Sequence, residues 1–184
     1  MSPDITQVTP FSPDVEPADS TTPIRRLVTG IDSEGLSTIV DDAICPRLVA
    51  HRVPTSVSTE LWRTGRTPAD NFGPFADPVA GDKTPRIAPP LNGSVFRIVE
   101  FPSDTDWRVD DDGNEVFPLD VHATASVDYA IVLRGEVWAI LDATESHMRA
   151  GDVLVQRGTR HAWSNRSGQP CLVAFTLIGG TVIP

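Results

Sequence analysis

The sequence predicts an all-β protein of one domain. Three observations carry that expectation. Seventeen prolines and thirteen glycines interrupt 184 residues, and no long amphipathic helical period survives between them. The apolar residues come in short Val/Ile/Leu-rich runs bounded by turn residues. In the C-terminal half Gly135, Gly151, Gly158 and Gly168 separate these runs at short, regular intervals, the pattern of a sandwich or barrel.

Composition narrows the class of function. Hydrophobic residues make up 40% of the chain, enough for a core. Fifteen basic against 25 acidic residues give a formal charge of −10, which argues against nucleic-acid or anionic-membrane partners. No apolar run approaches the length needed to span a bilayer, and the N-terminus lacks a secretory pattern. Cys45 and Cys171 are too few for a disulfide framework. The expectation is a cytoplasmic protein with reduced thiols.

Taken in order, residues 1–23 form an arm. Pro3, Pro10, Pro13, Pro17 and Pro23 break it, and its charges are all acidic. It cannot build a core of its own, so it is either flexible or docked, and Ile5, Val8, Phe11 and Val15 favour docking. Residues 24–184 form the domain. Strands are predicted over 26–29, 37–40 and 59–63, with a turn at 32–35. Residues 65–93 read as a long Pro/Gly-rich loop with one helical turn near 69–72, of the kind that serves as a lid or binding element. Further strands follow at 95–101, 127–133, 137–141, 152–156, 162–164 and 171–178. The acidic run at 110–115 lacks the ligand spacing of a calcium loop and reads as a solvated turn.

No nucleophile elbow, zinc-protease helix, P-loop or dinucleotide fingerprint is present. Chemistry therefore rests on four histidines: His51, His122, His147 and His161. Residues 121–135 read with period two, so His122, Thr124, Ser126 and Asp128 share one face. Taken alone, that face meets water. His161 and Trp163 share a side at the start of a later strand. His51 and His147 read as surface residues, His147 in a turn.

Together the two histidine segments resemble the paired signature motifs of the cupin superfamily. His122, Asp128 and Gly135 match the spacing of the first motif, and Gly151, Gly158, His161 and Asn165 match the second. The resemblance covers roughly residues 95–178. It departs from the family in three places: Thr124 stands where a second histidine is usual, Asp128 where glutamate is usual, and Gln156 where proline is usual. The resemblance implies a double-stranded β-helix, or jelly roll, with residues 24–64 as extra N-terminal strands. It turns His122, Asp128 and His161 into the barrel as catalytic residues and ligands of a divalent metal. Two histidines and a carboxylate suit Fe(II), with Mn, Ni, Co or Zn as alternatives. Thr124, Trp163, Trp62, Arg63 and Arg66 are the candidate substrate pocket, the arginines as forks for an anion.

The expected function is a metal-dependent enzyme acting on a small hydrophobic oxygenated metabolite: a phenol, polyketide or keto acid. Dioxygenation and Lewis-acid isomerisation or decarboxylation are the candidate reactions. Two alternatives stand beside it: a metal-free acid–base dehydratase, isomerase or cyclase using the same pocket, and a non-catalytic binding module. Strands that are apolar on both faces, such as 171–178, suggest a homodimer.

Overall fold

The computed structural model describes residues 14–81 and 86–181; the proposed arm over 1–13 lies outside them. Eleven strands run in chain order: β1 (Arg25–Ile31), β2 (Ser37–Ile44), β3 (Leu48–His51), β4 (Val53–Thr64), β5 (Ser94–Phe101), β6 (Ser126–Arg134), β7 (Glu136–Leu141), β8 (Glu145–Arg149), β9 (Val153–Arg157), β10 (His161–Ser164) and β11 (Cys171–Gly179). The only helical element among the described residues is a single 3-10 turn, Asp104–Asp106. Among the described residues no helix is long and apolar enough to cross a membrane.

The strands form a six-stranded sheet, β3-β4-β5-β11-β6-β9, a three-stranded sheet, β10-β7-β8, and the separate hairpin β1-β2. Every named strand pair is antiparallel. The two larger sheets enclose the core, as in a jelly roll. Its buried members alternate along the strands: Val95 and Val99 on β5, Ala130 and Val132 on β6, Cys171, Val173, Phe175 and Leu177 on β11. Val137, Ala139 and Met148 meet them from the small sheet. The opposite parity of β11 is also covered, because Leu172 and Ala174 pack with Cys45, Leu61 and Ile98, and Ile24 leans against them. The double apolar character of residues 171–178 thus has an intramolecular cause over part of its length.

Gly135 is the corner between the sheets. It alone links β6 to β7, and its φ of +76° is a conformation that glycine adopts without steric cost. A Cβ there would stand 2.9 Å from the Pro170 carbonyl oxygen.

Residues 14–24 run along the domain. The Ala18 amide donates to the Pro54 carbonyl at 2.9 Å, the Thr22 amide to Glu100 at 3.0 Å, and Arg134 to the Thr22 hydroxyl at 2.9 Å.

Three local expectations need correction. Residues 69–72 contain no helical turn, since Pro68 and Pro74 leave too short a run for one. The segment around His147 is a strand, β8, paired along its length with β7, and Met148 is its buried residue. Residues 48–51 and 53–58 also pair as strands; their mixed polar composition hid them. The acidic run is a turn: Asp110 Oδ1 accepts the amides of Asp112 and Asn114 at 3.1 and 2.8 Å.

Candidate active site

The interior of the barrel is apolar toward one end and polar toward the other. A pocket of about 930 Å3, open mouth included, occupies the polar end. Val99, Phe101, Trp163, Phe175 and Leu177 form its apolar wall, and Ile87, Trp107 and Leu119 from the loops close over it. Trp163 packs edge-on against Phe175 with centroids 5.3 Å apart.

His122 and His161 are joined by the backbone. Each donates its amide to the other's carbonyl at 2.9 Å, an isolated antiparallel bridge that adds residue 122 to the edge of β10. A reciprocal pair of this kind puts both side chains on one face, and the two imidazoles lie 4.4 Å apart at 54°. His122 Nδ1 lies 2.9 Å from the Asp120 carbonyl, and His161 Nδ1 lies 3.0 Å from that of Thr159. A carbonyl only accepts, so each Nδ1 carries a proton, and a ring that is neutral keeps its lone pair on Nε2. Burial, with the neighbouring His122, pushes the His161 pKa down to about 4. That ring is neutral across physiological pH.

Asp128 is buried on β6, beyond a bend at residues 123–125 that takes the chain from the small sheet to the large one. Both its oxygens are engaged: Ser126 Oγ donates to Oδ1 at 2.5 Å and Thr124 Oγ1 to Oδ2 at 3.3 Å. Ser126 Oγ also lies 2.7 Å from Thr124 Oγ1. Burial raises the Asp128 pKa, against the pull of these hydroxyls and of Arg97. The water-facing reading of this face is overturned: Thr124, Ser126 and Asp128 are all buried, while Tyr129, Ile131 and Leu133 are exposed.

The resemblance implies a metal on His122, Asp128 and His161, and the donor set does not fit one. Two imidazoles with Nδ1 fixed by carbonyls are suitable ligands. The third expected ligand, Asp128, has both oxygens engaged by the Ser126 and Thr124 hydroxyls, and Thr124 offers a hydroxyl where the family pattern has a further imidazole. Among the described residues no group of three or more His, Cys, Asp or Glu is placed to hold an ion.

Three other expected pocket residues lie elsewhere. Trp62 stacks on Phe75 with centroids 6.4 Å apart. Arg63 lines a separate hollow with Arg47, Glu60 and Arg86. Arg66 is exposed and pairs with Asp70 at 2.6 Å. Trp62 and Arg63 follow a bulge between Glu60 and Trp62 and, as neighbours on a strand, face opposite sides, while Arg66 lies beyond the end of β4.

Sequence reading missed four contributors. His51 is not a surface residue: it lines the pocket, and its Nε2 lies 2.7 Å from Ser58 Oγ. Burial, helped by Arg97 and His122, lowers its pKa to about 3. Arg97 comes from β5, where a cation inside an apolar run was the available signal. Arg52 and Arg108 line the mouth, Arg52 beside Asp120 at 3.5 Å and Arg108 between Asp104 and Glu115 at 3.2 and 2.6 Å. Asp104 anchors this mouth, because it accepts from Ser164 Oγ at 2.6 Å and from the Asn165 amide at 3.2 Å. Asn165 in turn donates to the Phe101 and Gln169 carbonyls. His147 is on the surface, stacked on Trp138 at 4.1 Å.

The fold and the paired histidine segments define a cupin, and comparison with known proteins agrees. No family model matches the chain. It is 32% identical over 152 residues to phomopsin biosynthesis cluster protein C' of Diaporthe leptostromiformis, covering 78% of this chain and 71% of that protein. It is 32% identical over 153 residues to the cupin-domain-containing oxidoreductase virC of Hypocrea virens, covering 80% and 70%. With the corresponding oxidoreductase fogC of Aspergillus ruber it shares 30% over 150 residues, covering 81% and 68%. Among solved structures, the Schizosaccharomyces pombe Cnp3 cupin domain superposes with a TM-score of 0.47 at 12% identity, over 84% of this chain and 87% of that one. The chain belongs to the cupin superfamily.

Proposed function

We propose that this cupin is an enzyme that binds a small, largely apolar, oxygenated molecule and moves a proton on it with His122 and His161. The observation that carries the reading is the imidazole pair: adjacent rings, each with Nδ1 tied to a backbone carbonyl. A neutral ring beside a second ring can take a proton from carbon or hydroxyl and return it at a neighbouring atom. The wall of Phe101, Trp163, Phe175 and Leu177 suits a phenol, polyketide or keto acid and keeps water from the reacting atoms. This is the metal-free alternative of the sequence reading, preferred because Asp128 is held by Ser126 and Thr124.

Three of the relatives bear the name oxidoreductase. Neither cysteine lines the pocket, so in a net oxidation on this site the electron acceptor would come from outside the chain's own side chains.

The test follows deuterium uptake at the benzylic carbon of phenylpyruvate, the CH2 next to its keto group, in D2O by NMR, with metal content measured on the same samples. Exchange above the buffer rate that falls by roughly 100-fold or more in both His122→Ala and His161→Ala is the expected result. Near-stoichiometric metal that both substitutions remove would overturn the metal-free reading. No exchange above buffer with phenylpyruvate or with a panel of phenols and diketones would overturn the proton-transfer reading.

A second copy of the chain is the proposed cover for the outer face of β6 and β9. Tyr129, Ile131, Leu133, Val153 and Val155 are 41–61% exposed there, with Tyr129 paired to Val155 and Ile131 to Val153 across the two strands, an apolar patch of the kind that marks an interface.

A further inference from the structure

We infer that Arg97 is the anchor for an anionic oxygen, so that the pocket takes a substrate carrying a carboxylate or an ionised enol. The inference rests on the proposed small-molecule site and names the class of molecule it accepts.

Arg97 is 5% exposed and points inward from β5, between Val95 and Val99 of the core. It lines the pocket with Ser56, Ser58 and Thr124. A guanidinium carries five N–H donors. Nη2 donates to the Arg86 and Ile87 carbonyls at 2.9 and 3.3 Å. Those two bonds fix the plane of the group against the loop that covers the pocket. Nε is buried without a hydrogen-bond partner, because its carboxylate neighbour Glu60, 3.3 Å away, is out of line with the N–H.

Two other arginines share an unbonded Nε, and each differs in a way that decides between them. Arg26 lies outside the pocket and is neutralised by Asp41 and Asp77 at 2.7 and 2.6 Å. Arg108 stands at the mouth with Glu115 at 2.6 Å and Asp104 at 3.2 Å. Arg97 has one carboxylate in ion-pair contact. The next one toward the pocket, Asp128, already accepts from two hydroxyls, Ser126 Oγ and Thr124 Oγ1. A buried cation with donors to spare, at the polar end of an otherwise apolar pocket, is a receptor for an anionic oxygen. The apolar body of such a ligand would lie along Phe101, Phe175 and Leu177, and its reacting atoms would face His122 and His161.

The test uses benzoate and its neutral isostere benzamide. Binding to the full chain is measured by calorimetry at pH 7, with the Hε1 resonances of His122 and His161 as reporters of pocket occupancy. Benzoate is expected to bind roughly 10-fold or more tightly than benzamide and to shift both resonances. Arg97→Lys is expected to weaken benzoate several-fold, and Arg97→Met by roughly 10- to 100-fold while leaving benzamide unchanged. Because Arg97→Met leaves Glu60 buried alone, the charge-balanced double variant Arg97→Met/Glu60→Gln is measured beside it. Equal binding of acid and amide, or benzoate affinity unchanged in the folded double variant, would overturn the assignment. In the first case, with the histidine resonances shifted by both probes, the small-molecule site would stand without the anion anchor. No binding of either probe would overturn the anchor as well, while deuterium exchange decides the proton-transfer reading on separate evidence.

Discussion

Acidification should test the burial of His161 quantitatively. An imidazole of ordinary pKa 6.5 is held in the fold at about 4. The unfolded chain therefore takes up a proton below pH 6.5 that the folded chain refuses until about pH 4. The stabilisation is fully present above pH 6.5 and is lost as the pH falls toward 4. One pKa unit corresponds to about 1.4 kcal/mol, so the loss between pH 7 and pH 4.5 is roughly 2.5 kcal/mol. The perturbation is His161→Gln, which keeps a side-chain donor for the Thr159 carbonyl and does not titrate. Urea unfolding at pH 7 and pH 4.5 gives four midpoints. Carboxylates held low by ion pairs, such as Asp42 and Glu145, also lose stability on acidification, but they are common to both proteins and cancel in the difference. Wild type should lose roughly 2.5 kcal/mol more than His161→Gln, a difference in urea of about 1 M. Losses equal within roughly 0.5 kcal/mol would refute the reasoning and place His161 in contact with water.

Two further predictions concern the frame around the site. Gly135→Ala should destabilise the protein by about 1–3 kcal/mol, through the positive φ and the Cβ pressed against the Pro170 carbonyl; a thermal unfolding midpoint lowered by less than about 1 °C would contradict it. Asp104→Ala should cost about 2–4 kcal/mol, because Ser164 Oγ loses its acceptor and Arg108 its more buried partner. It should also speed amide exchange across residues 104–109, and unchanged exchange there would show that Asp104 does not hold the mouth.

Much of the barrel could be read in one dimension. Nine of the eleven strands overlap runs marked by alternation and by glycine punctuation, since both signals are local. The inward turn of Thr124, Ser126 and Asp128 was not local. A polar face on an isolated strand is indistinguishable from a solvated one, and only the resemblance of the two histidine segments reversed it. Strands β3 and β8 escaped because they are short edge strands, which owe their form to a partner.

The candidate site divides in the same way. Residue type and spacing singled out His122, Asp128 and His161. Their meeting depended on tertiary structure. A backbone bridge between residues 39 apart brings the two imidazoles together, and two hydroxyls hold Asp128 in place of a metal ligand. Trp62 and Arg63 lie past a bulge in β4 and Arg66 beyond the strand's end, and none of the three lines the pocket. His51 and Arg97 entered it because their strands were wrapped onto one sheet, with Ser58 and Glu60 as neighbours. Periodicity by itself determined which residues share a face. The closure of two sheets around a common interior decided which faces meet, because contacts between distant segments depend on register and curvature that no short stretch of sequence contains.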